Sequence, residues 1–78
     1  MIDLSVTRTK IDEIDKQIIS LFNERMKLAD DVANYKIATG KSVYDPVREK
    51  EKLEVIESFG DDDFGRTALR ELFSQIMS

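Results

Sequence analysis

The feature that most constrains the fold is a stretch of 34 residues, from about Val6 to about Thr39, without glycine or proline. Apolar side chains recur along it at steps of three and four residues: Ile11, Ile14, Ile18, Leu21, Leu28, Val32 and Tyr35. This spacing predicts one long helix with an apolar seam close to a heptad repeat. Gly40 follows the last periodic residues and is typical of a helix end.

Two shorter helices are predicted after a connection at residues 41–44. Asp45 before Pro46 forms an N-cap and first-turn proline, so a helix is expected over residues 46–58. Residues 60–63 form a turn in which one aspartate should cap a third helix, over residues 64–77. We expect two apolar faces: Glu49, Leu53 and Ile56 on the second helix, and Leu69, Leu72, Phe73 and Ile76 on the third. The sequence thus predicts one all-α domain, residues 1–78, with one long and two short helices.

The length of the first helix predicts a dimer. A helix of 34 residues is about 50 Å long, whereas a compact chain of this size has a radius of gyration of only about 12 Å. The remaining residues cannot cover such a helix along its length, so its seam needs another chain. Paired long helices in a symmetric homodimer are the simplest source. A plain coiled-coil tether is the alternative, but it leaves the two short helices without a purpose.

Composition excludes several classes of chemistry. The chain has no cysteine and no histidine, which rules out disulfides, Cys/His zinc sites and histidine acid–base catalysis. We predict no metal and no cofactor. A net charge of -4 argues against nucleic-acid binding. No signal peptide or membrane-spanning run is apparent, and the lack of cysteine is typical of a reducing cytoplasm, where we expect the protein.

Arg25 and Lys36 are the candidate anion-binding residues of the long helix. Arg25 occupies a seam position between Leu21 and Leu28, where an apolar residue is expected. A desolvated guanidinium needs an anionic partner, although Arg25 could instead extend to solvent or pair with an acid across a dimer. Lys36 lies eleven residues later, on nearly the same face and about 16 Å along the axis. Together the two could hold a small dianion, whereas each alone could be an ordinary solvated cation.

Further candidates are less distinctive. Arg8 lies about 25 Å from Arg25 along the helix and on a different face, so it could share a ligand only from another subunit. Glu49 shares a face with apolar residues and should point inward, although a first-turn acid also stabilises a helix through its dipole. Arg48 lies beside it, and Asp45 is more simply explained as an N-cap than as a ligand residue.

Taken together, these segments resemble the AroQ-type chorismate mutases over nearly the whole chain. The segments that carry the resemblance are RTKIDEIDKQII at 8–19, LFNERM at 21–26, Val32, Lys36, and YDPVREKE at 44–51. The resemblance implies an intertwined homodimer of three-helix protomers that converts chorismate to prephenate by an intramolecular Claisen rearrangement. Such a pericyclic reaction needs no nucleophile, general base or metal.

The resemblance also implies roles for the candidate residues. Arg25, with Arg8 from the partner subunit, would bind the two substrate carboxylates, and Lys36 would reach the ether oxygen and a carboxylate. Glu49 and the backbone at Asp45 would hold the ring hydroxyl, while Arg48 would brace the site. We therefore expect Lys36, Arg25 and Glu49 to be the catalytic residues.

One departure from the family pattern leaves alternatives open. The family usually adds a serine and, four residues later, a glutamine from the last helix, and neither is found in register here; Gln75 does not align. We therefore expect a chain cut short at its C-terminus, for example from a protein fused to a prephenate dehydratase. A non-catalytic chorismate- or prephenate-binding regulatory module, an isochorismate pyruvate lyase and a ligand-free dimerisation module are the alternatives.

Overall fold

The computed structural model describes residues 1–42 and 45–77, which form three helices. They are α1 (Leu4–Ala38), α2 (Pro46–Glu57) and α3 (Asp63–Met77). The predicted all-α class, with one long and two short helices, is confirmed. The chain divides into two units, residues 1–43 with α1 and residues 44–78 with α2 and α3. Val43 and Tyr44, which belong to the predicted connection and to the resemblance, lie outside the described residues.

α1 begins two residues earlier than its apolar periodicity predicts. The carboxylate of Asp3 accepts hydrogen bonds from the amides of Ser5 and Val6, at 2.9 and 3.4 Å. These bonds satisfy two of the amides that have no partner within a helix. Because an aspartate N-cap starts a helix wherever it lies, the first turn forms ahead of the first apolar repeat.

α1 ends where the glycine predicts, through a Schellman motif. The amide of Lys41 donates to the carbonyl oxygen of Lys36 at 2.8 Å, and the amide of Gly40 donates to that of Ile37 at 3.2 Å. Gly40 has a φ of 73°, a left-handed conformation that glycine adopts without a steric penalty. The two bonds satisfy carbonyls that the helix end leaves without partners.

The apolar seam of α1 is exposed within the single chain. None of the residues of α1 is buried. Five aliphatic side chains of the seam are between 50% and 65% exposed: Ile11, Ile14, Ile18, Leu21 and Leu28. Contiguous apolar surface of this kind marks an interaction site in a protein.

α2 begins at the predicted cap. The Asp45 carboxylate accepts a hydrogen bond of 3.1 Å from the amide of Arg48, and Pro46 occupies the first turn. Leu53 and Ile56, at 7% and 9% exposure, are the buried residues of this helix. They lie three residues apart on the face that the sequence predicts, and α2 packs through it against α3.

α3 begins at one of the predicted aspartates. The carboxylate of Asp62 accepts a hydrogen bond of 2.6 Å from the amide of Gly65. Leu69, Phe73 and Ile76 of the predicted stripe are partly buried. Leu72, the fourth residue of the predicted stripe, remains 51% exposed. It lies about 60° around the helix from Leu69, so a single neighbouring helix covers the centre of the stripe but not its edge.

None of the helices in the described part of the chain combines the length and the apolar character that a membrane span requires.

Candidate active site

The predicted site residues fall into two groups, one in each unit. Arg8, Arg25 and Lys36 belong to α1, whereas Asp45, Arg48 and Glu49 belong to the start of α2. Both groups are held by helix geometry that local sequence signals specify, namely the continuous α1 and the Asp45 cap of α2.

Arg25 and Lys36 lie on one face of an unbroken helix. Eleven residues at 100° each bring their side-chain directions to within about 20° of each other, at an axial separation of about 16 Å. Both residues are partly buried, whereas most of α1 is exposed. Among residues 1–42, neither side chain forms an ion pair or a hydrogen bond. The described part of their own unit therefore offers neither cation a carboxylate partner.

The helix face between the two cations carries Val32 and, to one side of it, the small side chains of Ala29 and Ala33. Ala29 follows Arg25 by one turn, and Ala33 precedes Lys36 by about one turn on the same side of α1. On the alanine side of Val32, the methyl groups leave room for the long Arg25 and Lys36 side chains to extend toward each other over the helix surface. The sequence alone predicts no role for these two alanines, although their spacing from Arg25 and Lys36 can be read from it.

Arg8 is separate from this face. It is exposed near the start of α1 and lies about 25 Å from Arg25 along the axis. An arginine side chain extends only about 7 Å from its Cα atom, which is about the length of two residues of extended backbone. Arg8 and Arg25 of one chain therefore cannot contact the same small ligand.

The residues at the start of α2 have different environments. The Asp45 carboxylate is engaged as the N-cap through the Arg48 amide, which leaves the Asp45 backbone as its predicted contact with a ligand. Glu49 is partly buried one turn before Leu53, whereas the Arg48 side chain is exposed. Glu49 also lies in the first turn, where the helix dipole favours its negative charge. The ligand roles of all three residues stay predictions.

The C-terminal cap of α1 adds a feature that the sequence did not reveal. The carbonyl oxygen that accepts the hydrogen bond from the Lys41 amide belongs to Lys36. Lys36 also lies in the last turn, where a cation stabilises the helix dipole. Gly40 predicts the end of the helix, but its connection to Lys36, a predicted site residue, is visible only in the hydrogen bonds of the cap.

The fold and the charged helix face define a small all-helical protein with a candidate anion site, and the comparisons with known proteins identify its family. The family model described as Chorismate mutase type II matches residues 7–78. The chain therefore belongs to the chorismate mutase type II family, and the family predicted from the sequence is confirmed.

Two curated relatives carry related names. A chorismate mutase of Methanocaldococcus jannaschii is 51% identical over 47 residues, which are 60% of this chain and 48% of that protein. A bifunctional chorismate mutase/prephenate dehydratase of Aquifex aeolicus is 33% identical over 82 aligned positions, covering 100% of this chain and 23% of that protein. The chain thus matches about half of the first relative and about a quarter of the second.

Solved structures show the same fold. Chorismate mutase of Thermus thermophilus, in its Form I structure, matches with a TM-score of 0.88 at 27% identity and covers 95% of this chain and 92% of that one. The Form II structure matches with the same TM-score and identity, and 84% of that chain is covered.

Proposed function

We propose that this chain is a chorismate mutase that converts chorismate to prephenate in aromatic amino-acid biosynthesis. The family match over residues 7–78 carries the proposal. The reaction is an intramolecular rearrangement in which a carbon–oxygen bond breaks as a carbon–carbon bond forms. No atom or electron enters or leaves the substrate. The reaction therefore does not require the histidine or cysteine that this chain lacks.

The α1 face supports the binding of a dicarboxylate. Arg25 binds one carboxylate of chorismate, and Lys36 contacts the ether oxygen and a carboxylate. These contacts hold the substrate in the compact conformer that places the reacting carbons together, which removes part of the entropic barrier. Negative charge accumulates on the ether oxygen as its bond to carbon breaks, and the Lys36 ammonium stabilises that charge in the transition state.

The start of α2 supplies the contacts to the ring hydroxyl. Glu49 accepts a hydrogen bond from the hydroxyl, and the backbone at Asp45 provides a second polar contact. A carboxylate that is partly buried beside Leu53 is a stronger acceptor than one in water, because the local dielectric constant is lower. Arg48 contributes positive potential at the edge of the site.

A homodimer completes the proposed site. The exposed Ile/Leu seam of α1 supports pairing of two long helices, and Arg8 of the partner subunit then binds the second carboxylate. Light scattering should give about twice the 9.0 kDa mass of the chain. A stable folded monomer would contradict both the intertwined arrangement and the proposed role of Arg8. The absence of cysteine supports a cytoplasmic location.

Product identification tests the proposed function. The purified chain is incubated with chorismate, the loss of chorismate absorbance is followed, and the product is identified by NMR. We expect stoichiometric prephenate. Saturable chorismate binding without turnover would instead indicate a regulatory module, and release of pyruvate from isochorismate would indicate a lyase. Absence of any binding would favour a dimerisation module.

A further inference from the structure

The end of α1 is closed by hydrogen bonds that converge on its last turn. The Lys41 amide donates to the Lys36 carbonyl at 2.8 Å, and the Thr39 amide donates to the Tyr35 carbonyl at 3.0 Å. The Thr39 hydroxyl donates to the same Tyr35 oxygen at 2.8 Å and approaches the Lys36 oxygen at 3.4 Å. The backbone of Lys36 is thus fixed by the residues that follow it.

A side-chain contact fastens the same cap from outside. The ammonium of Lys41 lies over the ring of Tyr35, 5.5 Å from its centroid. A cation at this distance from an aromatic face is attracted by the ring quadrupole. Because Tyr35 and Lys41 lie on either side of Lys36 in the sequence, the contact holds the reversed chain against the last helical turn.

The whole arrangement depends on the backbone of Gly40. Its φ of 73° lies in the left-handed region, which L-residues adopt at a cost. A Cβ atom added at Gly40 would meet no atom of the described residues within 4 Å, in contrast to one added at Gly60. The requirement for glycine at position 40 is therefore conformational and not steric.

We infer that Gly40 is a positioning residue for the rearrangement, because its left-handed conformation lets the Lys41 amide hold the backbone from which Lys36 extends. The inference rests on the proposed function, in which the Lys36 ammonium acts on the ether oxygen. The last turn of a helix frays when its carbonyls lack partners. A frayed turn spreads the Lys36 ammonium over many positions, and misplacement by about 1 Å can cost about 10²-fold in rate.

Handedness at position 40 provides the test. The chain has 78 residues, so it can be assembled by chemical synthesis with glycine, L-alanine or D-alanine at position 40. The two alanine forms of Gly40→Ala have the same composition, and no atom of residues 1–42 or 45–77 lies where either methyl group would clash. They differ in the sign of φ that they prefer, since D-residues favour the left-handed region.

We expect the D-alanine chain to have a kcat within about twofold of the glycine chain. The L-alanine chain should lose roughly tenfold in kcat per folded chain, because an L-residue adopts the left-handed backbone conformation only at a cost. Its KM should stay within about twofold of that of the glycine chain. The folded fraction is measured by circular dichroism at the assay temperature. The Lys41 amide should exchange its hydrogen faster in the L-alanine chain than in the D-alanine chain.

Gly60→Ala is the matched control, because its Cβ would lie 2.6 Å from the backbone nitrogen of Arg66. It should lower stability without changing kcat per folded chain by more than about twofold. Equal kcat values for the L- and D-alanine chains would overturn the inference while leaving the proposed function intact. An equal loss of kcat in Gly60→Ala would also overturn it, since general destabilisation would then explain the effect. A glycine chain that forms no prephenate would refute the proposed function and the inference with it.

Discussion

Arg70 of α3 donates a hydrogen bond of 2.8 Å from its guanidinium to the carboxylate of Glu57 in α2. The two residues are thirteen positions apart, so the ion pair links the two helices of the second unit. Their side chains are 47% and 31% exposed, respectively. Water therefore screens the pair, and ion pairs of this kind typically contribute about 0.2–1 kcal/mol.

We accordingly expect Glu57→Gln to lower the free energy of unfolding by less than about 1 kcal/mol. A double-mutant cycle with Arg70→Met, at fixed chain concentration, should give a coupling of about 0.5 kcal/mol that shrinks as salt is added. The ion pair of Arg66 and Asp63, three residues apart within α3, is the control, because it does not connect α3 to another helix. A salt-independent coupling above about 2 kcal/mol would mean that the link between α2 and α3 is desolvated.

Gly60 should tolerate no side chain. An added Cβ would lie 2.6 Å from the backbone nitrogen and 2.8 Å from the Cα of Arg66, atoms that cannot move independently of α3. Overpacking against backbone typically costs about 1–3 kcal/mol, so Gly60→Ala should lower the unfolding free energy by that amount in urea denaturation. Thr67→Ala, at an exposed site on α3, is the control and should change stability by less than about 0.5 kcal/mol. Equal stabilities of the two variants would show that the turn can relax.

The Asp3 cap makes a pH-dependent contribution to the start of α1. Hydrogen bonds from the Ser5 hydroxyl, the Ser5 amide and the Val6 amide lower the pKa of Asp3 below its ordinary value. Because the folded-state pKa is the lower one, the cap's contribution is fully present above the unfolded-state pKa. It is lost as the pH falls through the folded-state pKa.

Removal of the strongest donor should therefore raise that pKa. In Ser5→Ala, an NMR titration of the Asp3 carboxyl carbon should show a pKa closer to the ordinary aspartate value than in the parent chain. Thr7→Val is the control, since the Thr7 hydroxyl donates to the Asp3 backbone oxygen and not to its carboxylate. An unchanged Asp3 pKa in Ser5→Ala would mean that the backbone amides alone hold the carboxylate.

Local signals explain why the sequence predicts the helix ends so closely. Gly40 at the end of α1 and the Asp45-Pro46 pair at the start of α2 act over a few residues, and both are found where predicted. The contact of Gly60 with Arg66 and the pair of Glu57 with Arg70 depend on the angle at which α2 meets α3. No periodicity encodes that angle, so neither contact was predicted.

The candidate site likewise combines features that the sequence predicts with features that only the structure shows. The shared face of Arg25 and Lys36 follows from helix periodicity and holds because α1 is continuous from Leu4 to Ala38. The link from Gly40 through Lys41 to Lys36 requires the three-dimensional hydrogen-bond pattern of the cap. Sequence periodicity places side chains on a face but does not say which backbone groups fix them.

The proposed sharing of a site between subunits predicts complementation. A mixture of Arg8→Ala and Arg25→Ala chains should recover part of the activity that each variant lacks. In a mixed dimer, one site receives both defects and the other receives none. Mass spectrometry under native conditions should establish that mixed dimers form. If they form without any recovered turnover, the two arginines do not act together across the interface.

The role of Lys36 in the rearrangement is the central claim, and the kcat of Lys36→Ala tests it most directly. Loss of a donor that acts mainly in the transition state typically costs on the order of 10²–10³ in kcat. Lys36→Gln should recover little, because a neutral amide supplies a hydrogen bond without the charge. Lys27→Ala is the matched control, since Lys27 is exposed on the opposite side of α1, nine residues before Lys36.

We expect Lys36→Ala to lose at least about 10²-fold in kcat while circular dichroism shows a folded chain. Lys27→Ala should keep its kcat within about twofold of the parent chain. If Lys36→Ala instead raised KM and left kcat within about threefold, Lys36 would be a carboxylate anchor. Its stabilisation of the ether oxygen in the transition state would then be refuted.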